Sequence, residues 1–141
     1  NPSEITKNKA EQPLLEEKVI KLETTSATIT DLTFLSEFAE GNPARMQKYI
    51  TLYLKLLPDN LAKMTASIEA NDYESLVKVS HAMRPHLNYM GMKEAAELAA
   101  EMENFVNNKQ NLDQVMGMAQ KVKEHCILSK DELDTVLKSY A

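Results

Sequence analysis

The sequence predicts an all-α protein folded as an up-down helical bundle. Its 141 residues fit one domain, and a hydrophobic content of 43% is enough to build one core. Ala, Leu, Met, Glu and Lys are frequent and only three Gly are present, which favours helices because those side chains lose little rotamer freedom in a helix. Several segments repeat apolar residues at spacings of three and four and are separated by short polar turns. Helices joined by such short loops prefer antiparallel neighbours.

The N-terminal residues 1–28 differ in composition from the rest of the chain. They mix Pro, Lys, Glu, Asn and Thr around one short apolar patch made of Leu14, Leu15, Val19, Ile20 and Leu22. We predict a linker or flexible extension here, with a short amphipathic helix over the patch as the alternative. Residues 29–141 form the predicted domain. Because the chain begins with Asn1 rather than Met, we expect a piece of a longer protein.

The first two predicted helices are separated by a polar turn. Thr30 is a suitable N-cap for a short helix that runs to Phe38 and ends before Gly41. The second helix restarts at Pro43 and keeps its apolar spacing as far as the next polar turn, through Met46, Ile50, Tyr53, Leu54, Leu57, Leu61, Met64 and Ile68. Pro58 lies inside this run, so we predict a kink or a fresh turn there.

Three further helices complete the predicted bundle. The third runs from Tyr73 to about Met90, with Asp72 as its N-cap, Gly91 after its end, and a buried stripe of Leu76, Ser80, Met83, Leu87 and Met90. The fourth covers 93–106. The fifth begins near Leu112, and residues 129–131, Ser-Lys-Asp, are expected to break or recap it.

Composition and charge exclude several classes of function. The net charge is −5 and charges of both signs are interspersed, so the basic surface of a nucleic-acid-binding protein is missing. Cys126 is the only cysteine, which excludes an intramolecular disulfide and a multi-Cys zinc site and is compatible with the reducing cytoplasm, where we expect this protein. No run of about 18 apolar residues suggests a membrane span.

His81 is the candidate reactive residue. At roughly 100° per residue it lies about 140° from the centre of the buried stripe and therefore faces water. Lys78 and Arg84, three residues to either side, lie about 60° from it on the helical wheel. A neutral imidazole nitrogen is nucleophilic, and flanking cations can neutralise phosphoryl oxygens, so the arrangement suits transient phosphorylation. Periodicity alone leaves the alternative open, which is an ordinary solvated histidine.

The segment around His81 resembles a known family motif. Residues 80–84, Ser-His-Ala-Met-Arg, and Gly91 are similar to Ala-His-x-Leu-Lys-Gly followed by a glycine ten residues after the histidine, as in histidine-containing phosphotransfer (HPt) domains. The resemblance covers about residues 30–125 and implies a four-helix HPt-type core with a short extra N-terminal helix. It implies that His81 is the phosphorylated histidine and that Arg84 replaces the lysine that stabilises the phosphoryl group.

Two residues depart from the motif of the family. Pro85 stands where the family usually has Gly, and His86 stands where it often has Ser. Pro85 has no N–H, so the carbonyl of His81 loses its helical partner and the helix is expected to bend there.

The resemblance also implies a function and a partner. His81 would accept a phosphoryl group reversibly from an aspartyl-phosphate of a response-regulator receiver domain and pass it to another receiver aspartate, within a hybrid sensor histidine kinase. The domain would be a monomer and a phosphocarrier without independent catalysis. It would need no cofactor of its own, because Mg²⁺ belongs to the receiver. Wheel positions predict a docking surface with Phe34 or Leu35 from the first helix, Tyr89 nearby, and Val77, Ala82, Pro85 and Asn88.

Two alternatives come from other classes of protein. One is a docking module of the same fold that binds a receiver but carries no phosphate, because Pro85 spoils the site. The other is the dimerisation and phosphoacceptor helix pair of a histidine kinase, which is disfavoured because such domains have an acidic residue where this chain has Ala82. No glycine-rich phosphate loop or nucleophile elbow supports an independent enzyme.

The other two histidines carry weaker predictions. His86 is expected to be a boundary residue or partner contact rather than a second acceptor, and its spacing from His81 is not the i, i+4 spacing of paired metal ligands. We therefore predict no metal site. His125 is expected at the surface or the edge of the bundle.

Overall fold

A computed structural model describes residues 28–140 of the chain. The predictions for residues 1–27, a linker or a short amphipathic helix, lie outside the described residues. Helices account for most of the described part, which contains no strand: α1 (Thr33–Phe38), α2 (Pro43–Glu69), α3 (Tyr73–Tyr89), α4 (Lys93–Asn108) and α5 (Leu112–Ser139). None of them combines the length and hydropathy that a membrane span requires.

The four long helices form the predicted up-down bundle. Helix α2 packs against α3 and α5, α3 packs against α4, and α4 packs against α5, so the four helices enclose one core. The connections 70–72, 90–92 and 109–111 are too short for anything but antiparallel neighbours. The fold class predicted from the sequence is therefore confirmed.

The core is built from one apolar stripe on each long helix. All five residues of the stripe predicted for α3 are buried, and Val79 joins them. Methionines fill much of the remaining space between the helices, since their flexible thioethers adapt to irregular gaps: Met46, Met64, Met83, Met90, Met92 and Met102 are all buried.

The tight connections depend on left-handed residues that follow the helix ends. Asn71, Gly91 and Lys109 have φ angles of 52°, 65° and 56°. In each case the N–H of the following residue donates to a carbonyl of the last helical turn. The three hydrogen bonds run from Asp72 to Ser67, from Met92 to Leu87 and from Gln110 to Phe105, each at 2.9 Å. These bonds satisfy orphan carbonyls and reverse the chain within three residues.

The segment that leads into α1 differs from the prediction. Thr30 does not cap α1, because the helix begins at Thr33 and its N-cap position is Leu32. The N–H and hydroxyl of Thr30 donate to Oε1 of Glu132 on α5, at 2.9 and 2.8 Å, and the N–H of Ile29 donates to Oε2 at 2.7 Å. Asp31 accepts from the N–H of Thr33 at 3.0 Å instead. We call residues 28–32 the N-terminal strap. A carboxylate from α5 thus holds the chain that leads into α1.

The fresh turn predicted at Pro58 and the break predicted at residues 129–131 are absent, whereas the bends expected at Pro58 and Pro85 stay predictions. Helix α2 continues through Pro58, α3 continues through Pro85, and α5 continues through 129–131. Both prolines are exposed, so the carbonyl that lacks its helical partner lies on the solvent side, where water can satisfy it. In α5 the buried Ser129 is tied to Tyr53 of α2 by a bond of 2.7 Å between their hydroxyls, and this tertiary contact holds the helix at that point.

Candidate functional site

His81 lies in the middle of α3 and points into solvent. Its side chain is 75% exposed, whereas its neighbours Ser80 and Met83 are buried in the core. The exposure follows from the sequence, because the buried stripe fixes the rotation of α3 and leaves position 81 on the outer face.

The partner of His81 is a buried carboxylate on α4. Oε1 of Glu103 lies 3.3 Å from Nδ1 of His81 and 3.2 Å from Nη1 of Arg84, and the hydroxyl of Ser80 donates to Oε2 at 3.0 Å. The side chain of Glu103 is only 9% exposed. Three residues of α3 thus converge on one carboxylate of α4.

The surroundings of Glu103 explain how a carboxylate can be buried there. A buried charge without partners is strongly unfavourable, whereas a cation and hydrogen-bond donors compensate for the lost hydration. Arg84 supplies the cation from a half-exposed position, and Ser80 supplies a neutral donor from within the core. Glu103 is therefore an ordered part of the interface between α3 and α4.

The contact with Glu103 selects one form of the His81 ring. An ionised carboxylate can only accept hydrogen bonds, so Nδ1 of the ring must carry the proton. In the neutral imidazole this leaves the lone pair on Nε2, at the solvent-facing edge of the ring. With Nδ1 directed at Glu103, Nε2 is the ring nitrogen that could react with a partner.

The two cations predicted beside His81 lie in different grooves. Arg84 and Asn88 line a groove between α3 and α4, whereas Lys78 and Ala82 line a groove between α2 and α3. Arg84 is engaged with Glu103, and Lys78 is exposed. Of the two cations, Arg84 shares a partner with the His81 ring, since both contact Oε1 of Glu103.

The residues predicted for docking differ in their exposure. Pro85 is exposed one turn after His81, and Val77 is half-buried one turn before it. Of the two α1 residues considered, Leu35 is fully buried and belongs to the core, whereas Phe34 is 51% exposed. The alternative Leu35 is therefore wrong, because the short helix turns that side chain inwards.

An exposed group of aromatic rings lies at the C-terminal end of α3. Tyr89 packs against Phe34, Phe38 and Tyr49, with ring centroids 6.0, 5.4 and 5.5 Å away. Phe34 and Phe38 remain 51% and 47% exposed. We call these four residues the aromatic cluster. The sequence identifies Phe34 and Tyr89 separately but not the cluster, since Tyr49 joins it only through the packing of α2 on α3.

Glu103 is absent from the predicted site residues, although the sequence contains a signal for it. Position 103 follows the buried Ala99 by four residues and Ala95 by eight, so it falls on the inward stripe of α4. A carboxylate at such a position needs a partner on the neighbouring helix.

The remaining histidines lie apart from this arrangement. His86 is half-buried, and desolvation lowers the pKa of its ring. Nε2 of His125 on α5 lies 3.9 Å from Glu94 of α4, at the edge of the bundle as predicted. Within residues 28–140, no three His, Cys, Asp or Glu side chains form a group that could hold a metal ion.

Comparisons with known proteins agree on the fold. A model of the Hpt domain family matches residues 48–138, which is more than half of the chain. A solved structure of the HPt domain from a sensor hybrid histidine kinase of Shewanella superposes with a TM-score of 0.71 at 14% sequence identity, covering 79% of this chain and 95% of that one. A comparison with curated proteins finds no match.

Proposed function

This chain belongs to the Hpt domain family, the phosphotransfer modules of two-component systems, and on that premise we propose that His81 is its phosphoryl carrier. Nε2 of His81 would take a phosphoryl group from an aspartyl-phosphate of one receiver domain and pass it to an aspartate of another. The observation that carries the proposal is the exposed imidazole whose Nδ1 lies 3.3 Å from the buried Glu103 carboxylate.

The transfer itself is a displacement at phosphorus. The Nε2 lone pair attacks in line, the bond between phosphorus and the aspartate oxygen breaks, and the aspartate leaves as a carboxylate. Positive charge develops on the ring as the N–P bond forms. Glu103 accepts from Nδ1–H and stabilises that charge, while holding the ring in place for attack. The reverse step delivers the phosphoryl group to the next aspartate.

Arg84 would assist through a change of partner. One of its guanidinium nitrogens contacts Glu103, and the side chain remains 38% exposed. A guanidinium has five N–H donors, so Arg84 could turn from the carboxylate and bind the phosphoryl oxygens on Nε2. Lys78 would supply a second cation from the other side of α3.

The receiver supplies the remaining chemistry. In this proposal the aspartate and Mg²⁺ belong to the receiver, so this chain binds no cofactor and acts as a phosphocarrier without independent catalysis. We further propose that it works as a monomer in the cytoplasm, as part of a hybrid sensor histidine kinase.

The receiver would dock across the outer face of α3. Its phospho-aspartate must reach His81, so it must also cover the exposed residues beside it, Ala82 and Pro85. The half-exposed rings of Phe34 and Phe38 extend this surface with apolar area that a partner can bury. Val77 and Asn88 would lie at the edges of the contact.

The proposal is tested by incubating the chain with a phosphorylated receiver domain and Mg²⁺. We expect the native chain to gain the mass of one acid-labile phosphoryl group, and His81→Gln to gain none. His86→Gln, on the same helix, serves as the matched control and should still be labelled. If several receivers fail to label the native chain, the alternative of a docking module without phosphate would replace the proposal.

A further inference from the structure

Ser80 is a hydroxyl residue in the middle of an apolar stripe. It lies between Leu76 and Met83 on the inward face of α3 and is 1% exposed. An alanine would fit the helix equally well, and the family motif has Ala at this position. The packing of the core therefore does not account for the hydroxyl of Ser80.

The hydroxyl of Ser80 reaches the site through Glu103. It donates to Oε2 at 3.0 Å, whereas His81 and Arg84 share Oε1 at 3.3 and 3.2 Å. The two oxygens of the carboxylate thus have separate partners. Ser80 holds one oxygen from the buried side, and the residues at the surface compete for the other.

This division matters when Arg84 changes partner. In the resting state the carboxylate is fixed by the guanidinium on one side and by Ser80 on the other. Once Arg84 turns towards a phosphoryl group, Ser80 is the donor that still defines the orientation of Glu103. Without Ser80 the carboxylate is free to form a two-bond fork with Arg84, which is the geometry that guanidinium and carboxylate groups prefer.

We propose that Ser80 is a positioning residue for phosphotransfer at His81, which keeps Oε1 of Glu103 on Nδ1 while Arg84 exchanges partners. This inference rests on the proposed function of His81. Ser80 never touches the phosphoryl group. It acts by keeping the proton on Nδ1 and the lone pair on Nε2.

The first test measures the His81 ring directly. Nitrogen-15 NMR of the imidazole at a pH of about 8.5, above the ordinary titration range of histidine, reports which nitrogen carries the proton. We expect the native chain to hold the proton on Nδ1 and Ser80→Ala to show a larger fraction of the Nε2–H form. Ser67→Ala is the matched control, because Ser67 is also buried but donates only to the carbonyl of Lys63 in its own helix.

The second test asks whether Ser80 acts through Glu103. Ser80→Ala should slow labelling by a phosphorylated receiver about 3-fold to 10-fold in the native chain but have no further effect in a Glu103→Ala background, because coupled residues are not additive. An equal loss in both backgrounds, or slower labelling with an unchanged ring, would overturn the proposal. If the native chain is not labelled, but Ser80→Ala still shows the larger fraction of the Nε2–H form, the result would count against the proposed function of His81 instead.

Discussion

Nδ1 of His81 and Oε1 of Glu103 lie 3.3 Å apart although the two residues are 22 positions apart in the chain. The contact joins an exposed ring to a buried charge, and it makes the ring part of the interface between α3 and α4. A surface histidine without such a partner samples both neutral forms and many orientations. The contact therefore distinguishes His81 from an ordinary solvated histidine.

Replacing Glu103 by Gln tests this contact. The amide oxygen can still accept from Nδ1–H, but the charge that stabilises the imidazolium is lost. We expect labelling of His81 by a phosphorylated receiver to slow about 10-fold, which corresponds to a loss of about 1.4 kcal/mol in stabilisation of the transition state. Glu101→Gln, an exposed residue of the same helix, is the control and should leave the rate unchanged. Equal rates for both variants would show that the charge of Glu103 has no role in the transfer.

The aromatic cluster gives a prediction about docking. The double variant Phe34→Ser, Phe38→Ser removes two half-exposed rings, and we expect the Kd for a receiver domain to rise about 10-fold, as for apolar anchors of moderate size. The control is Leu128→Ser on α5, which is 53% exposed but belongs to a helix that packs against α2 and α4 rather than α3. Titration calorimetry measures both. A larger loss for Leu128→Ser would place the receiver elsewhere.

The N-terminal strap depends on one carboxylate. Glu132 accepts from the N–H groups of Ile29 and Thr30 and from the hydroxyl of Thr30. Hydrogen bonds to a charged group stabilise more than neutral ones, so Glu132→Ala should lower the free energy of unfolding by about 2 kcal/mol in a urea titration. Glu124→Ala, an exposed change on the same helix, should cost little. Similar values for the two variants would mean that the strap contributes nothing to stability.

Cys126 gives a prediction about pH. Burial raises the pKa of its thiol to about 11, from an ordinary value of 9.0. The unfolded chain therefore loses this proton at lower pH than the folded chain, so stability falls as pH rises from about 9 towards 11, by about 2 to 3 kcal/mol in total. Burial also raises the pKa of Tyr53, which acts in the same direction. The slope between pH of about 8 and 10.5 should be shallower in Cys126→Ala, and an unchanged slope would contradict the assignment.

The sequence predicts the helices well because their signals are local. Apolar spacing fixes the buried stripe of α3, and Asp72 caps that helix as predicted, by accepting from the N–H of Ser75 at 3.1 Å. The exposed position of His81 follows from the same stripe. The fresh turn expected at Pro58 was wrong, because the proline rule takes no account of the side of the helix on which the carbonyl without a partner lies.

The partners across the bundle could not be predicted in this way. Thr30 and Glu132 are 102 positions apart, and the ring of Tyr49 meets Tyr89 only after α2 packs on α3. The apolar spacing indicates which residues of a helix face inwards, but their contacts depend on the residues of the neighbouring helix. Glu103 is the instructive case, since its inward position is visible in the sequence whereas its contact with His81 depends on the register between α3 and α4.

Two glycines allow the free-energy cost of a left-handed backbone to be measured separately from the cost of a steric collision. Gly91 and Gly41 both have left-handed φ angles, of 65° and 68°. A Cβ on Gly91 would collide with the main chain of Asp31 in the N-terminal strap. The strap is held there because the N–H of Asp31 donates to the carbonyl of Met90 at 3.0 Å. A Cβ on Gly41 would meet only open space. We therefore expect Gly41→Ala to cost about 1 kcal/mol for the left-handed backbone alone.

Gly91→Ala adds the collision to the same backbone cost. The strap would have to move away from the end of α3, so we expect a loss of about 3 kcal/mol or more in the free energy of unfolding. Gly117→Ala in α5, a helical position with free space, should instead stabilise the protein by about 0.5 to 1 kcal/mol. Urea titrations of the three variants give the comparison. Equal losses at Gly41 and Gly91 would mean that the strap adapts without cost, and that its contact with α3 does not constrain the turn that ends the His81 helix.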